Sequence, residues 1–215
     1  MARTSQTCPV RRSVRALVVA GVVVGAALLT RRMTQTWGTL AGEADTALPG
    51  DDLLPDARVV ATRGIGVDAP PRDVWPWLVQ LGYCRGGFYS YDALERMIGL
   101  DIHSADTVED RWQDLAVGDP VLLADGVVLQ VADLEQDRHL VLRGSDELPG
   151  AGAAPYDFTW SFVLRRVGTG TRLLVRERYV PHGPGSRALV EAVQPVSFLM
   201  TQRMLRGVRD RAERR

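Results

Sequence analysis

The side chains best suited to chemistry fall in two places along the 215-residue chain. One is a dense run of Tyr83, Arg85, Tyr89, Tyr91, Asp101, His103 and Asp106, with Arg111 and Trp112 close behind. An imidazole and a carboxylate within hydrogen-bond reach transfer protons, and phenols hold a carbonyl or hydroxyl, so Asp101 and His103 are candidates for general acid–base work. The competing reading is that Asp101 and His103 fasten a loop between helices while the tyrosines pack with solvated hydroxyls, since adjacency in sequence does not make groups converge. The other place is Glu177. Leu173, Val175, Glu177 and Tyr179 share one face of a strand whose other face carries Arg172, Leu174, Arg176 and Arg178. If the first face points inward, a carboxylate enters the interior, where an unpaired charge is costly and demands a raised pKa or a partner such as an arginine. A twist or bulge that delivers Glu177 to solvent is the alternative.

Other chemistries find less support. Gly86-Gly87 is too short for a phosphate cradle and lacks a following Lys-Ser or Lys-Thr. The two cysteines, Cys8 and Cys84, and the three histidines, His103, His139 and His182, are scattered without ligand spacing, so neither a metal nor a cofactor is expected. All 26 basic residues are arginine and are balanced by 26 acids, which argues against a nucleic-acid partner.

The elements that must position these groups follow from periodicity. Residues 58–67 read as a strand that passes into a helix, with Asp68 as a cap, Pro70 and Pro71 at its start, Pro76 as a kink and Gly82 as a stop. A second helix is expected over 91–98 and a short one near 106–115. Strands follow at 120–124, 127–134, 139–143, 156–166 and 172–179, at the spacing of an antiparallel meander. Phe158, Trp160, Phe162 and Leu164 alternate with Thr159 and Ser161, the pattern of a half-buried sheet. After a Gly/Pro break, Ser186 can cap a long helix with Leu189, Val193, Val196, Met200 and Val208 as its apolar stripe and Pro195 as a bend. The order describes an α+β architecture in which a curved antiparallel sheet wraps a long C-terminal helix.

Ahead of this domain, over 58–215, come an extended arm or linker at 34–57 and a basic leader with a single hydrophobic helix at 1–33. Residues 1–36 hold six arginines and no acid, so the rest of the chain carries a net charge of −6. Residues 16–30 are uncharged and form a helix of roughly 22 Å, short of the roughly 30 Å hydrocarbon core unless the flanking arginines snorkel. The absence of an Ala-x-Ala site favours an uncleaved single-pass membrane anchor over a signal peptide. Four arginines before the segment and two after it bias the domain outward. Gly21 and Gly25 have the small-xxx-small spacing that permits weak self-association, although small residues are also common in such helices without that role.

The motifs at 68–82 (DAPPRDVWPWLVQLG), 86–95 (GGFYSYDALE), 99–106 (GLDIHSAD), 112–119 (WQDLAVGD) and 159–164 (TWSFVL) resemble the actinobacterial branch of the SRPBCC, or START-like helix-grip, superfamily, from about Trp37 to Arg209. The resemblance implies a helix-grip fold with a cavity between sheet and long helix that holds an apolar ligand, and it implies no particular reaction. Three expectations follow. The first is a membrane-tethered module that binds a lipid, isoprenoid or polyketide-like molecule through Tyr83, Tyr89, Tyr91, Trp112, Phe158, Trp160, Phe162 and Met200. The second is a cyclase or hydrolase using Asp101 and His103, or Glu177. The third is a structural envelope protein whose own side chains fill the space. The residues leave catalysis open and lean towards binding.

Overall fold

Alternating apolar residues and glycine turns build the strands β1 (Val59–Val67), β2 (Pro120–Ala124), β3 (Val127–Glu135), β4 (His139–Gly144), β5 (Tyr156–Val167) and β6 (Gly170–Pro181). A computed structural model describes residues 25–26, 28–90, 104–144 and 155–214. In it the strands form one antiparallel sheet in the order β1-β6-β5-β4-β3-β2. Register shifts at Leu122/Ala124 and Val131/Asp133 mark irregularities that curve the sheet. Helix α1 (Pro71–Val79) and the long helix α2 (Pro184–Ala212) complete an α+β, helix-grip architecture, with α2 packed on β1, β6 and α1.

The chain divides into two units, Met1–Thr34 and Gln35–Arg215. In the first, residues 28–34 are helical. Among the described residues no helix is long and apolar enough to cross a membrane, and residues 16–24 of the expected anchor lie outside them. The helix expected over 91–98 also lies outside the described residues.

Several local expectations are corrected. Helix α1 is capped by Pro70 without a side-chain bond, so Asp68 is not its cap; the Asp68 N–H instead donates to the Glu213 Oε1, 2.7 Å distant. The helix runs through Pro76 and ends at Val79, so Gly82 is not its stop. Gly82 instead bridges Gly87 across a tight turn at φ 137°. The helix expected near 106–115 is reduced to a single 3₁₀ turn, Asp110–Trp112. Ser186 does not cap α2, which starts after Gly183.

The apolar stripe expected on α2 is the largest correction. Leu189, Val193 and Val196 are 41–49% exposed, as is Leu199, whereas Val190, Gln194, Thr201, Met204, Leu205 and Val208 are buried. The inward face is displaced by about one residue and includes polar positions, because it covers an ion pair and not only hydrocarbon. At Gly207 the helix comes so close to the loop after α1 that a Cβ would sit 2.4 Å from the Tyr89 carbonyl oxygen.

Along the middle of β5 and β6 the sheet is buried on both faces, not half-buried. Thr159 and Ser161 are fully covered, and Leu48 packs against Val163 and Leu174 on the outer side. The cover is the arm. Arg172 grips Glu43 with Nε and Nη2 at 2.9 and 2.6 Å. Arg176 pairs with Asp51 at 2.5 Å and donates to the carbonyls of Thr46 and Ala44, while Arg178 donates to the Leu54 carbonyl. The outward arginines of β6 therefore act as clasps for a strap rather than as a solvated row. Gly50 lets the strap lie close, with φ at 85° and room for a Cβ only 2.5 Å from the Val141 Cγ1.

Candidate functional site

A cavity of about 210 Å³ lies between β5, β6 and α2. Strand register sets one wall. On β5, Phe158 and Trp160 stand directly opposite Tyr179 and Glu177 of β6. Phe88, Leu123, Met200 and Met204 supply most of the remaining apolar lining. The Phe158 and Tyr179 rings lie 4.7 Å apart, and Phe88 and Trp160 lie 6.2 Å apart.

One end of the cavity is polar. The alternation that turns Glu177 inward on β6 also turns Arg63 inward on β1, since Arg63 pairs with Val175, two residues before Glu177. The Arg63 Nη1 donates to the Glu177 Oε1 at 2.7 Å, and both side chains are almost wholly buried. The Thr201 hydroxyl donates to the same oxygen at 2.7 Å. The Glu177 Oε2 accepts from the Ser197 hydroxyl at 2.5 Å and from the Tyr179 hydroxyl at 3.1 Å. Four donors thus hold one carboxylate, the condition under which a buried charge is tolerated. Burial, followed by the neighbouring Glu177 charge, pushes the Tyr179 phenol well above its ordinary value, so it remains a protonated donor. The cluster is electrically balanced: a ligand meets a neutral polar end and an apolar body. As a general base Glu177 would first have to surrender partners, including a guanidinium, which disfavours proton abstraction.

Of the residues singled out from the sequence, Phe158, Trp160, Met200 and Glu177 line the cavity. Phe162 sits in the core beneath it, with its ring 4.7 Å from that of Trp160. Tyr89, with φ at 54°, is a packing hub rather than a cavity residue. Its hydroxyl accepts from Gln80 at 2.8 Å and donates to the Trp77 carbonyl at 3.1 Å, and Arg211 lies over its ring. Burial pushes its pKa up. Tyr83 is half-buried against the core, and Trp112 lies in the 3₁₀ turn with Arg111 stacked on its ring; neither lines the cavity. Arg85 ties the carbonyls of Val79 and Trp112 together, and Asp106 pairs with Arg211 at 3.1 Å. These members of the dense polar run thus work as latches around the end of α1. Tyr91, Asp101 and His103 lie outside the described residues.

Arg63, Ser197 and Thr201 were missed. The available signals were an arginine at an inward position of β1 and two hydroxyl residues four apart on a helix, which fall on one face. Among the described residues no cluster of three His, Cys, Asp or Glu side chains is placed to hold a metal.

No protein-family model matches the chain, and no curated protein matches it. Among solved structures, protein NE0264 from Nitrosomonas europaea is similar at 13% identity and a TM-score of 0.45, over 78% of this chain and 98% of that one. Ara h 8.0201 is similar at 13% identity and a TM-score of 0.42, over 72% of this chain and 97% of its own. DynU16, a protein of the dynemicin biosynthetic locus, is similar at 17% identity and a TM-score of 0.38, over 68% of this chain and 46% of that one.

Proposed function

We propose that the Gln35–Arg215 domain binds a small, largely apolar molecule in the cavity under α2, and that residues 16–30 tether it to a membrane with the domain facing outward. The observation that carries the ligand reading is an open space of about 210 Å³ walled mainly by aromatic and methionine side chains. That volume exceeds the roughly 150 Å³ in which benzene is held. It falls below the roughly 300–1,000 Å³ of drug-sized sites, so the occupant has one or two rings or a short chain. The helix-grip architecture and the sequence resemblance to the SRPBCC superfamily support the same reading. The saturated hydrogen bonding of Glu177 weighs against the cyclase or hydrolase alternative at that residue, and the open volume weighs against a filled structural core.

Native mass spectrometry of the full chain, purified gently from membranes, tests the ligand reading. The expected spectrum shows an added mass that denaturation releases as a small apolar molecule. A ligand-free spectrum, together with no uptake of one- and two-ring probes, would overturn it. The tether is tested by alkaline carbonate washing: the chain is expected to stay in the membrane pellet, and release into the supernatant would refute a spanning anchor.

A further inference from the structure

We infer that the N-terminal half of α2 docks on the bilayer surface, with an exposed apolar row sunk into the boundary between headgroups and acyl chains. The inference rests on the tether reading above and not on the identity of any ligand. It starts from what the helix leaves uncovered. Leu189, Val193, Val196 and Leu199 are 41–49% exposed, and Ala192 is exposed among them. At roughly 3.6 residues per turn these five positions share one stripe about 120° wide. It runs opposite the buried face of Val190, Gln194, Thr201 and Met204. A stripe of this width ordinarily meets a core, and one left in the open marks an interaction surface.

What covers the row follows from where the leash is attached. Trp37 is pinned to the domain: its carbonyl accepts from the Gly64 N–H at 3.1 Å, and its ring meets that of Phe198 edge-on at 6.5 Å. The Arg206 guanidinium lies 5.4 Å from the centre of the same indole. Phe198 immediately precedes Leu199, the last residue of the row. Trp37 comes seven residues after Thr30, the end of the uncharged segment read as the anchor. Fully extended, that stretch reaches at most about 25 Å, and the row from Leu189 to Leu199 is itself about 15 Å long. A bilayer that holds residues 16–30 therefore stays within reach of the row. Docking becomes an intramolecular step at high effective concentration, and a row too small to hold a free helix on a membrane is then enough.

The charges agree with this occupant. Between Pro184 and Arg209 the helix carries one acid, Glu191, and four arginines. Arg203 and Arg206 continue the line of Val196 and Leu199 at helical spacing. Arginines at the end of an apolar stripe suit the phosphates that lie above acyl chains.

The test uses the full chain in vesicles of phosphatidylcholine and phosphatidylglycerol mixed in equal amounts. Cys8 and Cys84 are replaced by serine, and Val196→Cys carries an environment-sensitive NBD probe. The probe is expected to emit at shorter wavelength than in water and to lose about half its emission when the lipids are brominated near the headgroup end of their acyl chains, the depth at which an interfacial helix lies. Val193→Glu with Leu199→Glu, both at exposed positions, should abolish that quenching while the chain stays in the carbonate-washed pellet. An unquenched probe on a chain retained in the pellet overturns the inference and leaves the tether standing. A blue shift without quenching also overturns it, since a protein surface such as a second copy then covers the row, and so does quenching that survives both glutamates. Release of the chain by carbonate overturns the tether and the inference together.

Discussion

Replacing Arg63 with methionine tests whether the interior of this domain is organised around a balanced charge. Methionine keeps much of the length and the apolar stem but removes the guanidinium that sits 2.7 Å from Glu177. The carboxylate then retains three hydroxyl donors and no countercharge, at a position 3% exposed. Breaking a buried ion pair on one side costs about 3–5 kcal/mol. For a domain of this size each kcal/mol moves the thermal midpoint by roughly 2–4 °C, which gives a drop of roughly 6–20 °C. Replacing both partners, Arg63→Met with Glu177→Leu, removes the stranded charge and should restore most of that loss, since apolar substitutes for a buried pair are often neutral or stabilising. The assay is thermal unfolding of the four proteins of the double-mutant cycle, followed by circular dichroism. Strong non-additivity is expected. Additive effects, or an Arg63→Met midpoint within about 2 °C of wild type, would show that the pair is not coupled and would refute the reasoning.

Two further outcomes follow from the outer strap and the helix contact. The ion pair with Arg172 holds the Glu43 carboxyl below its ordinary range, so its contribution to stability is present above about pH 4.3 and is lost as pH falls through its lower folded value. Glu43→Gln should therefore destabilise the domain at pH 7, and the gap from wild type in urea unfolding should close as the pH is lowered below about 4; a gap independent of pH would contradict the pairing. Gly207→Ala forces a methyl against the Tyr89 backbone, an overpacking that should cost about 1–3 kcal/mol, and unchanged stability would mean the helix stands farther from that loop.

The strands were legible because their signals are local. Alternation and glycine turns place β2 to β6 within a few residues of where periodicity puts them, and the same alternation groups Glu177 with Leu173, Val175 and Tyr179 on one face of β6, leaving open whether that face turns inward. Long-range partnerships were not. Nothing near Arg176 or Arg178 in sequence shows that their charges clasp a strap more than a hundred residues away. A segment with little periodicity reads as a linker even when its carbonyls are the acceptors that those arginines need. The α2 stripe misled for a related reason. Hydropathy assigns Leu189, Val193 and Val196 to the interior, but Arg63 and Glu177 demand hydroxyls there, and the helix turns Ser197 and Thr201 inward to meet them. Residue type alone singles out Tyr83, Arg85, Tyr89 and Arg111, whereas their contacts serve packing.

The cavity itself is tested most directly by filling it. Met204 lines the space from α2 and is 2% exposed, so Met204→Trp places a larger side chain where a ligand would lie. Titrated with 5-indanol, the wild-type chain is expected to bind one equivalent and the filled variant, provided it keeps a cooperative thermal transition, to bind none. Equal binding by the two folded proteins would contradict the assignment of this cavity as the binding site.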